Sequence, residues 1–433
     1  MGWLRSARMV SLAISVSISP CAATADEAPL RIEEAVQLAL SRNERARIAR
    51  LGVDMAQAGV ARARSRFLPV LSVNGSDTFR PEQLGERAGT PANVASGSVN
   101  LQQPLLDAAA FPLLSEARAS LAAEQDQAVE DQRTLAFDAA RAFFGVLTSQ
   151  AVLQAAERRL SSARAALADA QARVRAQLAS SNDATRAEVD LASAAREVES
   201  DRGGSGTAAL SLGLLLDAPP PSALAAPEAV LETARKPVGA ADALVRDALG
   251  RRLDLSALQH AAQAAHEAAR EPLLRIVPTL GFAGSASATT NSSTSGRWSD
   301  AQLSLTLSWV LYDAGQRYAD LRSRDASAQI ADLQALARAR TVEADVRSAA
   351  VTLAAAQAAY GVADKAVAVA HKNAEETAAL YKQGLAKAIE LIDANDQVFL
   401  AEVSDVQARY AMAQAYLSLR QTLGLDPLGL ELP

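Results

Sequence analysis

The chain of 433 residues has one cysteine, Cys21, and only three histidines. A single thiol excludes an internal disulfide. His260 and His266 are six residues apart, not at the i, i+4 spacing that puts two ligands on one helix face, and His371 stands far from both. No ligand set at metal-site spacing is present, so no metal and no cofactor is expected. Aromatic residues make up 4% of the chain although hydrophobic residues make up 49%. That shortage argues against a core filled by Phe, Tyr and Trp, as an enzyme of this length would carry. Basic charge is short as well: the net charge of −6 disfavours a nucleic-acid partner. No apolar run reaches the ~18 residues that a membrane-spanning helix needs. A chain without such a helix can still enter a membrane as a closed β-barrel, the other structure that satisfies every backbone hydrogen bond internally. No Ser/His/Asp set is apparent, and Gly203-Gly204-Ser205-Gly206 lacks the Lys-Ser/Thr that completes a phosphate-binding loop. An enzyme is not expected.

What fills the chain instead is alanine, interleaved with charge. Alanine is the best helix former and lets helices approach closely, so long Ala-rich stretches point to coiled coil. The N-terminus reads as a secretory signal over residues 1–25. Arg5 and Arg8 precede a short apolar run, and Ala23-Thr24-Ala25 supplies a cleavage site. Cys21 lies inside this segment. Lipidation there is the alternative to cleavage after Ala25, although Pro20 stands where a small residue is wanted.

The remainder is written twice. Arg66-Phe67-Leu68-Pro69-Val70-Leu71 recurs as Arg275-Ile276-Val277-Pro278-Thr279-Leu280, Leu106-Asp107-Ala108 as Tyr312-Asp313-Ala314, and the acidic turn at Asp183 as that at Glu390. The offsets are 209, 206 and 207 residues, so two similar units are expected, 26–216 and 241–433, joined by a Pro/Ala-rich linker over 217–240. In the first unit, periodicity predicts a helix over 32–66, strands over 70–79 and 98–105 flanking a Pro/Gly-rich loop, and a long helix over 108–177. At 1.5 Å per residue, seventy helical residues span about 105 Å. After a turn at Ser180-Ser181-Asn182-Asp183, a further helix is predicted over 184–202, interrupted by the glycines at 203–206. The second unit predicts helix over 241–276, strands over 279–288 and 301–311, a long helix over 314–383 and a last helix over 390–423. In the final strand Leu303, Leu305, Leu307, Trp309 and Leu311 alternate with Gln302, Ser304, Thr306 and Ser308. Period 2 with an apolar outside and small polar residues inside suits a barrel wall around a wet lumen. An ordinary half-buried strand would look the same in isolation. Four strands cannot enclose a useful pore, so a barrel reading requires several chains.

Several segments, in order and spacing, resemble the TolC-type outer-membrane efflux family: EEAVQLALSRN (33–43), FLPVLSV (67–73), WVLYDAGQR (309–317), LYKQG (380–384), ELIDANDQVFLAE (390–402) and the closing YAMAQAYLSLRQTLG (410–424). The resemblance covers essentially the whole chain after the signal. It implies a mainly α protein with a membrane β-barrel, in which three chains give four strands each to one twelve-stranded barrel. Paired long helices form a tunnel across the periplasm. Its far end opens when a periplasmic adaptor and an inner-membrane transporter dock, for drug efflux or type I protein secretion. A periplasmic coiled-coil adaptor or scaffold is the competing expectation, but the β-rich domain that adaptors carry is not visible. The chain departs from the family pattern where Glu44 and Leu253 replace a common proline, where Gln177 stands opposite Gly384, and where 203–206 replaces a tyrosine-containing segment.

Glu390 and Asp393 share a helix face at i, i+3. The spacing alone fits a solvated helix start whose acidic residues complement the macrodipole. It fits less directly a carboxylate ring around a symmetry axis, which makes a pore cation-selective. The resemblance implies the second: Glu390 and Asp393 at the pore constriction, Tyr381 and Asp183 as gate contacts. The family's basic gate residue falls on Ala386, which leaves Lys387 as its substitute. Leu303, Leu305, Leu307 and Trp309 are expected to face lipid.

Overall fold

The structure, a computed structural model, describes residues 29–79, 93–221, 223–290 and 297–429. The signal segment and Cys21 lie outside the described residues, as do most of the loop expected after 79 and residues 291–296. The first unit runs α1 (Ile32–Arg42), α2 (Glu44–Ser65), β1 (Val70–Phe79), β2 (Asn93–Leu106), α3 (Ala110–Arg175) and α4 (Ser181–Leu216). A short α5 (Glu228–Ala234) follows. Then come α6 (Ala241–Arg251), α7 (Leu253–Leu274), β3 (Thr279–Thr289), β4 (Ser299–Ser308), α8 (Gln316–Lys382) and α9 (Ala388–Thr422), the same order again.

The expected single helix over 32–66 is in fact two. Asn43 is extended between them, its Oδ1 accepts the Arg45 N–H at 3.0 Å, and its Nδ2 donates to the Leu215 carbonyl at 3.1 Å. It thus caps α2 and ties down the end of α4. In the second unit Arg252 makes the same break, its guanidinium gripping Asp254 at 2.8 and 2.9 Å. Glu44 and Leu253, which replace a common proline of the family, are the first helical residues after these breaks, where proline's missing N–H costs nothing.

The glycines at 203–206 do not interrupt α4. The side of the helix they occupy is largely open, while Ala194, Val198, Leu212 and Leu216 are buried on either flank. Glycine costs about 1 kcal/mol per residue against alanine in a helix, and packing on both sides outweighs it. Nor is the linker structureless. Leu30 pairs with its backbone, donating to the Ala223 carbonyl at 3.0 Å and accepting from Ala225 N at 2.9 Å, and Leu231 of α5 is buried.

The fully buried phenylalanines concentrate in one place. Phe137, Phe143 and Phe144 of α3 are fully buried against Ile32 and Val36 of α1, Leu212 and Leu216 of α4, and Leu417 of α9. A second, smaller core joins α6, α8 and α9 through Val245, Val342, Val346, Met412 and Leu419. These cores form a belt partway along two helices that each run about 100 Å.

The sheet is one antiparallel layer in the order β1-β2-β3-β4. The helices joined to it keep that order: α2 packs on α3, α3 on α7 and α7 on α8. Toward the opposite end α4 packs on α3, α3 on α9 and α9 on α8. Among the described residues the chain is therefore a long curtain with β1 and β4 as its outer strands.

Candidate functional site

Residues directly opposite each other in an antiparallel ladder share a face. Near the middle of the sheet the register sorts the residues into two faces. Leu71, Leu101, Gly284 and Leu303 lie in one row, and Val73, Val99, Ala286 and Ala301 in the next. Between these rows lie Ser72, Asn100, Ser285 and Gln302, on the opposite face. Leu305 pairs with Phe282 and Leu307 with Leu280 on the apolar face, while Thr306 and Ser304 lie on the polar one. Leu303, Leu305 and Leu307 are all exposed. Among the described residues no layer covers the apolar face, unlike a half-buried strand of a soluble core.

Trp309 departs from the expected alternation. β4 ends at Ser308, opposite Thr279. The next residue of the partner strand is Pro278, which has no N–H to extend the ladder. Trp309 instead turns its indole Nε1 to the Ile276 carbonyl at 2.9 Å and remains 57% exposed, at the sheet's helical end. A tryptophan with a polar tip and an exposed ring suits a membrane–water boundary.

At the far end the two inter-helix turns are built alike. In the first, Gln177 takes a left-handed φ of 61°, Gln177 N donates to the Val174 carbonyl at 3.0 Å, and Leu178 N to that of Arg173 at 2.9 Å. In the second, Gly384 has φ 76°, with Gly384 N donating to Tyr381 at 3.0 Å and Leu385 N to Leu380 at 2.9 Å. Both are Schellman closures, and Gln177 holds without glycine's freedom a conformation that favours glycine. Each next helix opens on a carboxylate: Asp183 accepts Ser180 N at 3.2 Å, and Glu390 accepts Lys387 N at 3.1 Å. The helix-capping role open from the spacing is thus realised for Glu390. Asp393, one turn on, is exposed, as are Glu390 and Lys387. The tip leucines Leu178 and Leu385 are exposed too.

Tyr381 is 5% exposed. Burial, reinforced by the nearby carboxylates of Asp169 and Asp183, holds its hydroxyl above the ordinary tyrosine range against the opposing pull of Arg173. Arg173, at the end of α3, stacks on the Tyr381 ring with its guanidinium carbon 4.1 Å from the centroid. Sequence reading did not single out Arg173, because nothing along the chain reveals a neighbour two hundred residues away. It also missed Arg159, which bridges Asp190 of α4 at 2.9 Å and Asp396 of α9 at 2.8 Å. Burial pushes the Asp190 carboxyl up even so, outweighing Arg159. Beside Arg159 lies an open cleft of about 320 Å³ between α3, α8 and α9, where Glu402 meets Arg158 at 2.7 Å and His371 at 3.0 Å. The other two histidines also face carboxylates on adjoining helices, His260 with Asp126 and His266 with Asp332.

Residues 35–216 and 244–425 match the family described as outer membrane efflux protein. The chain belongs to that family. Its members are channels rather than enzymes, and this protein is an outer-membrane efflux channel. Solved structures share its fold. CusC, whose crystal structures concern folding and transmembrane channel formation, has a TM-score of 0.79 at 19% identity over 91% of this chain and 92% of that one. The Campylobacter jejuni CmeC outer membrane channel gives 0.77 at 14% identity over 91% and 85%. The open state of the Neisseria gonorrhoeae MtrE outer membrane channel gives 0.77 at 19% identity over 93% and 91%. No curated protein sequence matches the channel significantly. Among the described residues no helix is long and apolar enough to cross a membrane.

Proposed function

We propose that three copies of this chain join edge to edge into one twelve-stranded barrel in the Gram-negative outer membrane, continued by a helical tunnel into the periplasm. The observation that carries this reading is the match of open edges. Among the described residues β1 and β4 end the sheet without partner strands. The helices that continue them carry exposed apolar stripes, Ile48, Leu51 and Met55 on α2 and Ile330, Leu333 and Leu336 on α8. In a bilayer each unpaired backbone group costs several kcal/mol, so free strand edges cannot persist there. Ring closure pairs the strands and covers the stripes together. The polar face of Ser, Thr, Asn and Gln then lines the lumen, and Leu303, Leu305 and Leu307 meet lipid, with Trp309 at the periplasmic boundary.

In this reading residues 26–216 and 241–433 act as two equivalent halves after removal of residues 1–25. Glu390 and Asp393, repeated around the axis, form the constriction and favour cations. Asp183, Tyr381 and Lys387 belong to the contacts that hold the tip closed. The partners at that end are a periplasmic adaptor, for which the exposed Leu178 and Leu385 offer apolar contact, and behind it an inner-membrane transporter. Cargo can be small molecules or secreted protein, since the channel supplies a conduit and the partners select.

Extraction from outer-membrane fractions followed by gel mobility without boiling tests the assembly. A trimer band that collapses to monomer on boiling is expected. Charging the α8 edge with Ile330→Lys and Leu333→Lys should shift most of the protein to monomer. A native monomer recovered from the soluble periplasm would favour a scaffold instead.

A further inference from the structure

The two helical hairpins that make up the tip, α3–α4 and α8–α9, end side by side, and Arg173 joins α3 to α8 there. Arg173 lies in the last turn of α3 and reaches the last turn of α8. Its guanidinium covers the face of Tyr381 at 4.1 Å, and its Nη2 donates to the Lys382 carbonyl at 3.5 Å. Both contacts suit the partner they meet. An arginine over an aromatic face is held by the ring's quadrupole, more strongly where water is excluded, and Tyr381 is almost wholly buried. A cation beside the final carbonyl groups of a helix is favoured by the macrodipole. Asp183, the acidic neighbour on α4, has its carboxylate turned back to the Ser180 N–H, closing its own helix. Asp169, one turn before Arg173 on α3, adds negative charge near the ring. Ala386 offers no cation on the α8–α9 side.

We propose that Arg173 is the latch of the tip: it holds α8 to α3 through the face of Tyr381 and the Lys382 carbonyl, so that opening the tunnel requires this stack to part. This deepens the gate reading given under Proposed function and rests on it. It makes a distinction that reading does not. A latch through the tyrosine hydroxyl needs oxygen; a latch through the ring face needs only an aromatic ring and a guanidinium.

The test is single-channel recording of purified trimers carrying Arg173→Gln, Tyr381→Phe or Tyr381→Leu, with spin-label distances between cysteines placed at Ala172 and Ala379 in trimers diluted with unlabelled chain. Tyr381→Phe keeps the ring and should raise opening and lengthen the distance far less than Tyr381→Leu does. Arg173→Gln and Tyr381→Leu should each lower the closed-to-open ratio by about tenfold per protomer. Both should lengthen the measured distance, and combining them should add little, because they remove one contact. Equal opening by Tyr381→Phe and Tyr381→Leu would overturn the proposal in favour of the hydroxyl. Closed conductance and an unchanged distance in Arg173→Gln would overturn it outright. A longer distance without a change in conductance would show that the stack joins the helices but that the gate lies elsewhere, which defeats the gate reading and the latch with it.

Discussion

Leu303→Arg should remove most of the trimer from the outer membrane. Leu303 lies at the middle of β4, opposite Gly284, and is exposed on the apolar face of the sheet. A cation on the lipid face of a barrel costs about 2–4 kcal/mol at the bilayer midplane and falls toward zero near the interfaces. The register therefore predicts a gradient. Leu303→Arg is expected to damage most and Leu305→Arg somewhat less. Leu307→Arg should be mild, because Leu307 is one residue from the end of the ladder, near the exposed Trp309. Thr306→Arg is the control on the opposite face. It should assemble normally and reduce conductance by placing three cations in the lumen. Trimer yield in unboiled gels after urea titration reads the gradient. Equal damage at Leu303 and Thr306 would mean that the two faces of the sheet are not lipid and lumen.

Glu390→Gln with Asp393→Asn should abolish cation preference while leaving assembly nearly intact. The substitutions are chosen for the local geometry. The Glu390 carboxylate accepts the Lys387 N–H at 3.1 Å, and Gln keeps an oxygen there, so the cap survives while the charge goes. Truncation to alanine would add a capping loss of up to about 1 kcal/mol and confuse the two roles. Reversal potentials in asymmetric salt should move toward zero for the double variant. Asp183→Asn, in the matching turn of the other half, should change how often the channel opens rather than which ions it passes, because its proposed place is among the contacts that close the tip. Full cation selectivity in the double variant would put the constriction elsewhere.

Much of this architecture was legible in the chain because its signals are periodic. The alternation from Leu303 to Leu307 reported a strand with two unlike faces, and the ladder aligns its apolar face with Leu71, Leu101 and Phe282 of the other three strands. The long helices were legible from uninterrupted alanine-rich spacing, and their ends fell within a few residues of those expected. What the sequence hid was decided by contacts between distant segments. Asn43 ends a helix because it can reach Leu215 as well as cap its own successor. The glycines at 203–206 stay helical because the flanking turns are packed. Trp309 leaves the strand because Pro278, on the neighbouring strand, ends the ladder. At the tip, Asp183 and Glu390 were visible as acidic residues after a turn, but both readings of Glu390, cap and constriction, draw on the same carboxylate. The Arg173 stack on Tyr381 had no trace along the chain at all.

Planar-bilayer recording of the protein extracted from outer membranes tests most directly whether three chains close one pore. Discrete, cation-preferring conductance steps are expected from the boiling-sensitive trimer, and none from the monomer produced by Ile330→Lys and Leu333→Lys. Silent trimers, or identical steps from the monomer, would contradict closure of one pore by three chains.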